Sequence, residues 1–285
     1  MTQVQIVECP RDAWQSLPTL IPTEIKIQYL TALLKVGFHT IDAGSFVSPK
    51  AVPQMQDTEV VLSSLPWEAY KETGILVIVV NRRGLEQAVR HPAVSYIGYP
   101  LSLSETFQQL NARQSRAEAE KFVDELVSIC REHQKTPVVY LSMGFGNPYG
   151  EAYSPQEVIE TAHRLAAKGI SIISLADTVG VATPELVHQV TEAAVKALPY
   201  VTWGVHLHAS PQNAYDKVAA AWAAGCRRFD SALGGYGGCP FAGVPVVSNI
   251  RTEVLLSFLR EQKALPPLNE FALMEAQSLL PMAFS

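Results

Sequence analysis

The chain has 285 residues, of which 48% are hydrophobic and 17% charged, with a formal net charge of −5 at pH 7. This composition excludes intrinsic disorder, and the absence of a basic block argues against a nucleic-acid surface. There is no run of about 18 apolar residues and no pattern of a secretory signal, so we expect a cytoplasmic protein without a membrane span. The four cysteines form no C-x-x-C pair, so neither disulfides nor a zinc knuckle are expected.

Short apolar, β-prone segments alternate with longer amphipathic segments along the whole chain. Residues 75–80 are continuously apolar, which is typical of a parallel strand buried on both faces. Eight strands are predicted, over residues 4–8, 39–44, 74–80, 95–99, 137–142, 170–175, 201–208 and 226–231.

Four predicted helices between these strands have recognisable starts. Each has a serine or threonine suited to cap the helix, followed by a glutamate three residues on or by a proline at the first helical position. The four starts are Ser115 with Glu118, Ser154 with Pro155, Thr183 with Pro184, and Ser210 with Pro211.

Eight β/α units in a chain of this length predict an α/β protein with the (β/α)8 TIM-barrel fold. The alternative is a doubly wound open sheet, but residues 9–12, after the first strand, lack the glycine-rich dinucleotide fingerprint. No linker divides the sequence. We therefore predict a single domain over residues 1–285, with residues 265–285 as a tail packed on the barrel.

Two histidines, His206 and His208, end the seventh predicted strand. Side chains at positions i and i+2 of a strand point to the same face, so both imidazoles should project together. Active sites of TIM barrels lie at the C-terminal ends of the strands, where this pair is placed. The alternative is two unrelated histidines, one hydrogen-bonded in the core and one solvated.

Asp12, which follows the first strand, is predicted to join the two histidines in binding one metal ion. The amide oxygen of Asn249 would be a fourth ligand. This mixture of oxygen and nitrogen ligands suits Mg²⁺ or Mn²⁺, but Zn²⁺, particularly with Cys239, and Fe²⁺ stay open. The alternative for Asp12 is a helix cap or an ion pair with Arg11.

Four further residues near the predicted strand ends are candidates for catalysis. Arg11 is suited to stabilise a developing enolate oxygen, or else forms a salt bridge to Asp42 or Asp177. Cys239 follows a glycine-rich segment and is a candidate to exchange a proton with an enolate, or is an ordinary loop cysteine. Asp42 and Asp177 either orient Arg11 and the histidines or bind amides of the rim. Residues 81–83 approach an anionic group or begin a solvated helix.

Several segments of the sequence together resemble the 3-hydroxy-3-methylglutaryl-CoA lyase family. They are residues 4–12 with Gln15, 45–55, 174–180, 205–208 and 237–242, and Asn249 with Thr252 and Glu253. The resemblance implies a (β/α)8 barrel with a Mg²⁺ or Mn²⁺ site. It implies the metal ligands Asp12, His206, His208 and Asn249, an enolate-stabilising Arg11, a lid thiol at Cys239 and a polar active-site residue at Asp177.

The activity that this resemblance implies is cleavage of 3-hydroxy-3-methylglutaryl-CoA to acetoacetate and acetyl-CoA. Some positions differ from the family pattern. Ala13 and Trp14 replace glycine and leucine, Asp42 replaces glutamate, Ala209 replaces aspartate, and Asn147 replaces cysteine. These differences bear on the substrate more than on the metal or the fold.

Three functional hypotheses follow. The first is the lyase itself, and the second is a related aldolase or acyl-CoA condensing enzyme with the same metal site and a different hydroxy acid or thioester. The third is a non-catalytic binding protein with an altered Asp12 loop, which either binds a ligand without turnover or has its pocket plugged by Trp14. We expect an acyl-CoA or small hydroxy-acid substrate and no nucleic-acid or membrane partner. The sequence leaves a homodimer open.

Overall fold

Eight parallel strands close into a barrel in a computed structural model that describes residues 3–238 and 247–284. The strands pair in chain order, and β8 returns to pair with β1. They are β1 (Gln5–Glu8), β2 (Thr40–Ser45), β3 (Gly74–Ile78), β4 (Val94–Ser102), β5 (Thr136–Ser142), β6 (Ile172–Asp177), β7 (Thr202–Leu207) and β8 (Arg228–Ser231). The predicted (β/α)8 barrel is confirmed, and each strand overlaps its predicted range.

Helices follow the strands and cover the outside of the barrel. They are α1 (Pro10–Gln15), α2 (Thr23–Val36), α3 (Thr58–Ser64), α4 (Arg82–Arg90), α5 (Glu105–Ala112), α6 (Arg116–Glu132), α7 (Pro155–Ala167), α8 (Pro184–Ala197), α9 (Ala214–Ala223), α10 (Thr252–Glu261), α11 (Glu270–Ser278) and α12 (Leu280–Ala283). Both α11 and α12 contact α2. Within residues 3–238 and 247–284, no helix is long and apolar enough to cross a membrane.

The hydrophobic core has two layers because side chains alternate along each strand. On β3, Ile75 and Val77 belong to the large core between the sheet and the helices. Leu76 and Ile78 point the other way and pack with Tyr140 in a smaller cluster inside the barrel. Side chains therefore fill the interior of the barrel, and the open space lies above them, at the C-terminal ends of the strands.

β4 extends beyond its predicted end, through Pro100 to Ser102. A proline normally ends a buried strand because it lacks the N–H group that the ladder needs. Here the carbonyl of Gly98 accepts a hydrogen bond from the N–H of Val79, so the backbone of Gly98 faces β3. Pro100 lies two residues further along β4, and its nitrogen therefore points to the same side. The pairing of β3 with β4 ends at Ile78 and Gly98. No β3 carbonyl therefore needs the N–H group that Pro100 lacks.

Three of the four predicted helix starts are confirmed, namely the caps of α6, α7 and α8 by Ser115, Ser154 and Thr183. The fourth is wrong, because α9 begins at Ala214. The Ser210 hydroxyl donates to Asn213 Oδ1, and the Ser210 carbonyl accepts from the N–H groups of Asn213 and Ala214. Ser210 and Pro211 therefore form a turn that precedes the helix.

Candidate active site

A cavity of about 510 Å³ opens at the C-terminal ends of the strands. Its polar wall includes residues at or just after four of the strands: Arg11, Asp12, Ser45, Ser142, His206 and His208. Apolar side chains, among them Ile78, Val80 and Pro100, form another part of the wall. The cavity is thus polar on one side and apolar on the other, as small-molecule sites commonly are.

The two histidines lie side by side with defined ring orientations. Their ring centroids are 5.1 Å apart. His206 Nδ1 lies 3.1 Å from Asp230 Oδ2, and its Nε2 lies 4.0 Å from Asp12 Oδ2. His208 Nδ1 lies 3.0 Å from the carbonyl oxygen of Thr178. With both Nδ1 atoms donating hydrogen bonds, the Nε2 atom of each ring keeps a lone pair for a ligand when that imidazole is neutral.

The chemistry of these groups fits a metal ion. One ligand atom each from Asp12, His206 and His208 lies within 4.8 Å of the other two. His208 Nε2 is buried and has no hydrogen-bond partner, which is unusual for a polar atom. Burial, together with His206, lowers the pKa of His208 to about 4, so its imidazole is neutral at pH 7. A neutral imidazole with a free lone pair is a metal ligand.

The carboxylate of Asp12 is held in its charged form. Burial acts to raise its pKa, but Arg11 and the two histidines outweigh burial, and the pKa falls to about 2. Asp12 Oδ1 accepts hydrogen bonds from Gln15 Nε2 at 2.8 Å and Arg11 Nη1 at 3.2 Å. Asp12 therefore takes part in the ion pair considered as an alternative while also facing the histidines.

Asn249 reaches the same cluster from the far end of the chain. Its backbone forms an antiparallel bridge with His208. Its Nδ2 group donates to Asp12 Oδ2 at 2.9 Å and to the carbonyl of Tyr236 at 2.8 Å. The amide nitrogen thus faces Asp12, and a half-turn of the amide would bring the oxygen there instead. The role of Asn249 as a ligand stays a prediction.

Arg11 lines the cavity and is fixed by Asp42. Its Nε and Nη2 atoms lie 3.0 Å and 2.5 Å from Asp42 Oδ2, while Nη1 donates to Gln15 Oε1 at 2.9 Å. Burial raises the pKa of Asp42 to about 6 against the opposing effect of Arg11, so Asp42 is ionised at pH 7. Burial acts to lower the pKa of Arg11, but Asp42 and Asp12 raise it above its usual value.

The candidate Asp177 and the substituted position Asn147 lie apart from the cavity wall. Asp177 is fully buried and pairs with Lys217 at 2.7 Å, not with Arg11. Asn147 uses its side chain to close its own loop, accepting from the N–H groups of Tyr149 and Glu151. Cys239 lies outside the described residues.

The remaining sequence features have structural roles. Asn81 caps α4 and also lines the cavity, whereas Arg82 and Arg83 are exposed and Arg82 pairs with Glu86. Residues 81–83 thus begin a helix whose two arginines are solvated, and an approach of Asn81 to an anionic group stays a prediction. Trp14 is fully buried, and its Nε1 donates to the carbonyl of Ala283 at 2.9 Å. Trp14 is not among the residues that line the cavity, so the alternative of a pocket plugged by Trp14 is wrong.

Three buried charged residues near the site were missed in the sequence. Asp230 hydrogen-bonds His206, Lys217 pairs with Asp177, and Glu8 accepts from the N–H of Leu233. Asp230 had a detectable signal, since Arg228 and Asp230 alternate in a short buried strand, and Asp230 stands in register with His206. A charge on an inward-facing strand position needs a partner in the barrel.

The comparisons with known proteins agree with this geometry. The HMGL-like family model matches residues 3–280. The cytoplasmic 3-hydroxy-3-methylglutaryl-CoA lyase of Rattus norvegicus is 35% identical over 258 residues, which cover 90% of this chain and 74% of the relative. Hydroxymethylglutaryl-CoA lyase YngG of Bacillus subtilis is 33% identical over 233 residues, which cover 82% of this chain and 77% of the relative.

A solved structure of an HMG-CoA lyase also matches this chain. The HMG-CoA lyase of Acinetobacter baumannii, in complex with coenzyme A and 3-methylmalate, superposes with a TM-score of 0.90 at 32% identity. The match covers 100% of this chain and 93% of that one. On the family model, the relatives and the shared barrel, the chain belongs to the HMGL-like family.

Proposed function

We propose that the protein is a carbon–carbon lyase that cleaves 3-hydroxy-3-methylglutaryl-CoA into acetoacetate and acetyl-CoA. The observation that carries this proposal is the convergence of Asp12, His206 and His208 beside Arg11 on one cavity. The relatives named as lyases of this thioester support the same reaction.

The metal site that we propose consists of Asp12, His206 and His208, with Asn249 as the fourth ligand. Mg²⁺ or Mn²⁺ suits one carboxylate, two imidazoles and an amide, although Zn²⁺ would accept the same set. When bound, such an ion supplies Lewis-acid polarisation of substrate oxygens. The partnerless, buried Nε2 of His208 supports a ligand at this position.

Arg11 and Cys239 have the proposed catalytic roles. Cleavage leaves negative charge on the thioester oxygen of the acetyl-CoA fragment, and the fixed guanidinium of Arg11 stabilises charge that develops there. Asp42 holds the guanidinium in place, because two of the Arg11 nitrogens donate to it. The thiol of Cys239 is the proposed acid that delivers a proton to the enolate carbon.

The proposed substrate is an acyl-CoA, and the proposed location is the cytoplasm. Coenzyme A is bound in the structurally similar lyase of Acinetobacter baumannii. Relatives named as cytoplasmic support the location, although others are named as mitochondrial. A homodimer stays a prediction.

The test is cleavage of 3-hydroxy-3-methylglutaryl-CoA by purified protein with Mg²⁺ or Mn²⁺ under reducing conditions. We expect equal amounts of acetoacetate and acetyl-CoA, and no product from His206→Ala. A panel of other acyl-CoA and free hydroxy acids is run in parallel. Turnover of one of these while the named thioester is ignored would replace our substrate with another.

A further inference from the structure

Lys217 is a charged residue of α9 that is entirely inaccessible to solvent. Lysine is almost never fully buried unless its ammonium group is paired. The outer helices of this barrel present their other faces to solvent, so a lysine could have been accommodated there. Its burial behind the candidate site therefore calls for a specific set of acceptors.

Three oxygen atoms surround the ammonium group of Lys217. Its Nζ donates to Asp177 Oδ2 at 2.7 Å, to the backbone carbonyl of His208 at 2.8 Å and to the carbonyl of Gly180 at 3.4 Å. An ammonium group has three donors and no acceptor, so this environment uses its full hydrogen-bonding capacity. Asp177 supplies the compensating charge.

The same contacts hold the loop that orients the His208 ring. Asp177 accepts from the N–H of Ala182, which closes residues 177–182 into a compact loop. That loop contains Thr178, whose carbonyl oxygen lies 3.0 Å from His208 Nδ1. Lys217 thus fixes the main chain of His208 directly and the partner of its ring through Asp177.

We propose that Lys217 is a positioning residue for His208, and that Asp177 acts through Lys217 without contacting the substrate. The inference rests on the proposed metal centre and deepens it. It assigns to an outer helix the task of aiming the Nε2 atom of His208 at the metal. Partners that orient a ligand commonly change metal affinity 10- to 100-fold when they are removed.

The test uses variants that do not leave an unpaired charge in the core. Lys217→Met alone would leave the buried carboxylate of Asp177 without a counter-charge, so we combine it with Asp177→Asn. Lys217→Gln with Asp177→Asn is a second neutral pair. The measurement is the Kd for Mn²⁺ of the metal-free full chain, read by electron paramagnetic resonance, with Tm recorded for each protein.

A matched control exists elsewhere in the barrel. Lys26 is buried on α2 and pairs with Asp57 at 2.7 Å, with a further hydrogen bond to the carbonyl of Gln54. This pair contacts none of the proposed metal ligands. Lys26→Met with Asp57→Asn therefore removes a similar ion pair and should lower Tm without changing the Kd for Mn²⁺.

We expect both Lys217 double variants to bind Mn²⁺ about 10-fold more weakly than the wild type, while the control double variant keeps the wild-type Kd. The inference is overturned if the Lys217 variants keep that Kd, or if the control weakens binding equally. A wild-type chain that binds no Mn²⁺ would overturn the metal centre itself, and with it this role of Lys217.

Discussion

At the scale of single residues, Arg11 combines two functions that a lysine could not. Its guanidinium spans Asp42 and Asp12 while one edge faces the cavity. The planar fork lets one side chain bind two carboxylates in fixed geometry. Arg11 is therefore prepared for a developing negative charge before the substrate arrives.

The variant Arg11→Lys tests this preparation. It keeps a cation beside Asp42 but loses the fork, so we expect kcat to fall by about 10²- to 10³-fold. Steady-state kinetics at saturating metal and substrate give the comparison. Arg164→Lys, at an exposed ion pair with Glu120, is the control. An Arg11→Lys enzyme with the wild-type kcat would exclude Arg11 from the reaction.

Asp230 is predicted to fix the tautomer of His206. Its Oδ2 lies 3.1 Å from His206 Nδ1, and Arg228 holds its other oxygen at 3.2 Å. In Asp230→Asn the amide can offer an N–H to the ring, which favours the tautomer with a proton on Nε2. We expect the Kd for Mn²⁺ to rise about 10- to 100-fold. An unchanged Kd, measured by titration of the metal-free protein, would contradict this role.

The sequence predicted some site residues and missed others for a physical reason. The convergence of Asp12, His206 and His208 could be predicted because Asp12 follows the first predicted strand and the histidines end the seventh, where a barrel builds its site. Lys217 could not, because a lysine on a surface helix is normally solvated. Its burial depends on the carbonyl of His208 nearby and on oxygens of Asp177 and Gly180, which lie 40 and 37 residues away, so no local pattern encodes it.

At the scale of elements, Glu8 joins the end of β1 to the segment that follows β8 and to the start of α10. Its carboxyl accepts from the N–H of Leu233 at 2.7 Å and from the hydroxyl of Thr252 at 2.6 Å. Burial raises its pKa to about 8, against the lowering effect of these hydrogen bonds. At neutral pH the folded protein therefore holds a proton on Glu8 that the unfolded chain has lost.

This difference makes the contribution of Glu8 to stability depend on pH. Because the native state binds the extra proton, the free energy of unfolding falls as pH rises from about 4.5 to 8. A glutamine side chain does not titrate, so in Glu8→Gln this fall in the free energy of unfolding should be absent. We expect the variant to become more stable than the wild type as pH rises through this range, by at most about 5 kcal/mol at pH 8. Urea unfolding at pH 5, 6, 7 and 8 measures it. A constant difference between the two proteins would contradict the prediction.

The predicted elements were right where the hydrophobic pattern determines the structure. They were wrong where the end or start of an element depends on a hydrogen-bond partner. Alternation and apolar runs located all eight strands, because burial on both faces is encoded locally. The end of β4 depends on where β3 stops, and the start of α9 depends on the turn made by Ser210. Both are properties of neighbouring segments.

At the scale of the whole molecule, barrel closure brings together groups from distant parts of the chain. The pairing of β1 with β8 places Asp12 beside a site made by β7 and the segment that carries Asn249. A metal bound there would link these segments in the folded state alone. Metal binding should therefore stabilise the entire barrel.

Thermal unfolding measures this linkage. At a Mn²⁺ concentration of about 100 times Kd, we expect the wild type to gain about 2.7 kcal/mol, which raises its Tm by roughly 4 to 5 °C. Asp12→Asn should show little gain under the same conditions. An equal rise in Tm for both proteins would mean that the ion binds elsewhere.

The most direct test of the central claim is pulsed electron paramagnetic resonance of Mn²⁺ bound to protein labelled with ¹⁵N-histidine. The structure predicts one ion per chain with nitrogen couplings from two imidazoles, and the loss of one coupling in His206→Ala and in His208→Ala. Two results would contradict the convergence of Asp12, His206 and His208 on one metal. One is a bound ion without histidine couplings, and the other is a variant, His206→Ala or His208→Ala, that keeps both couplings.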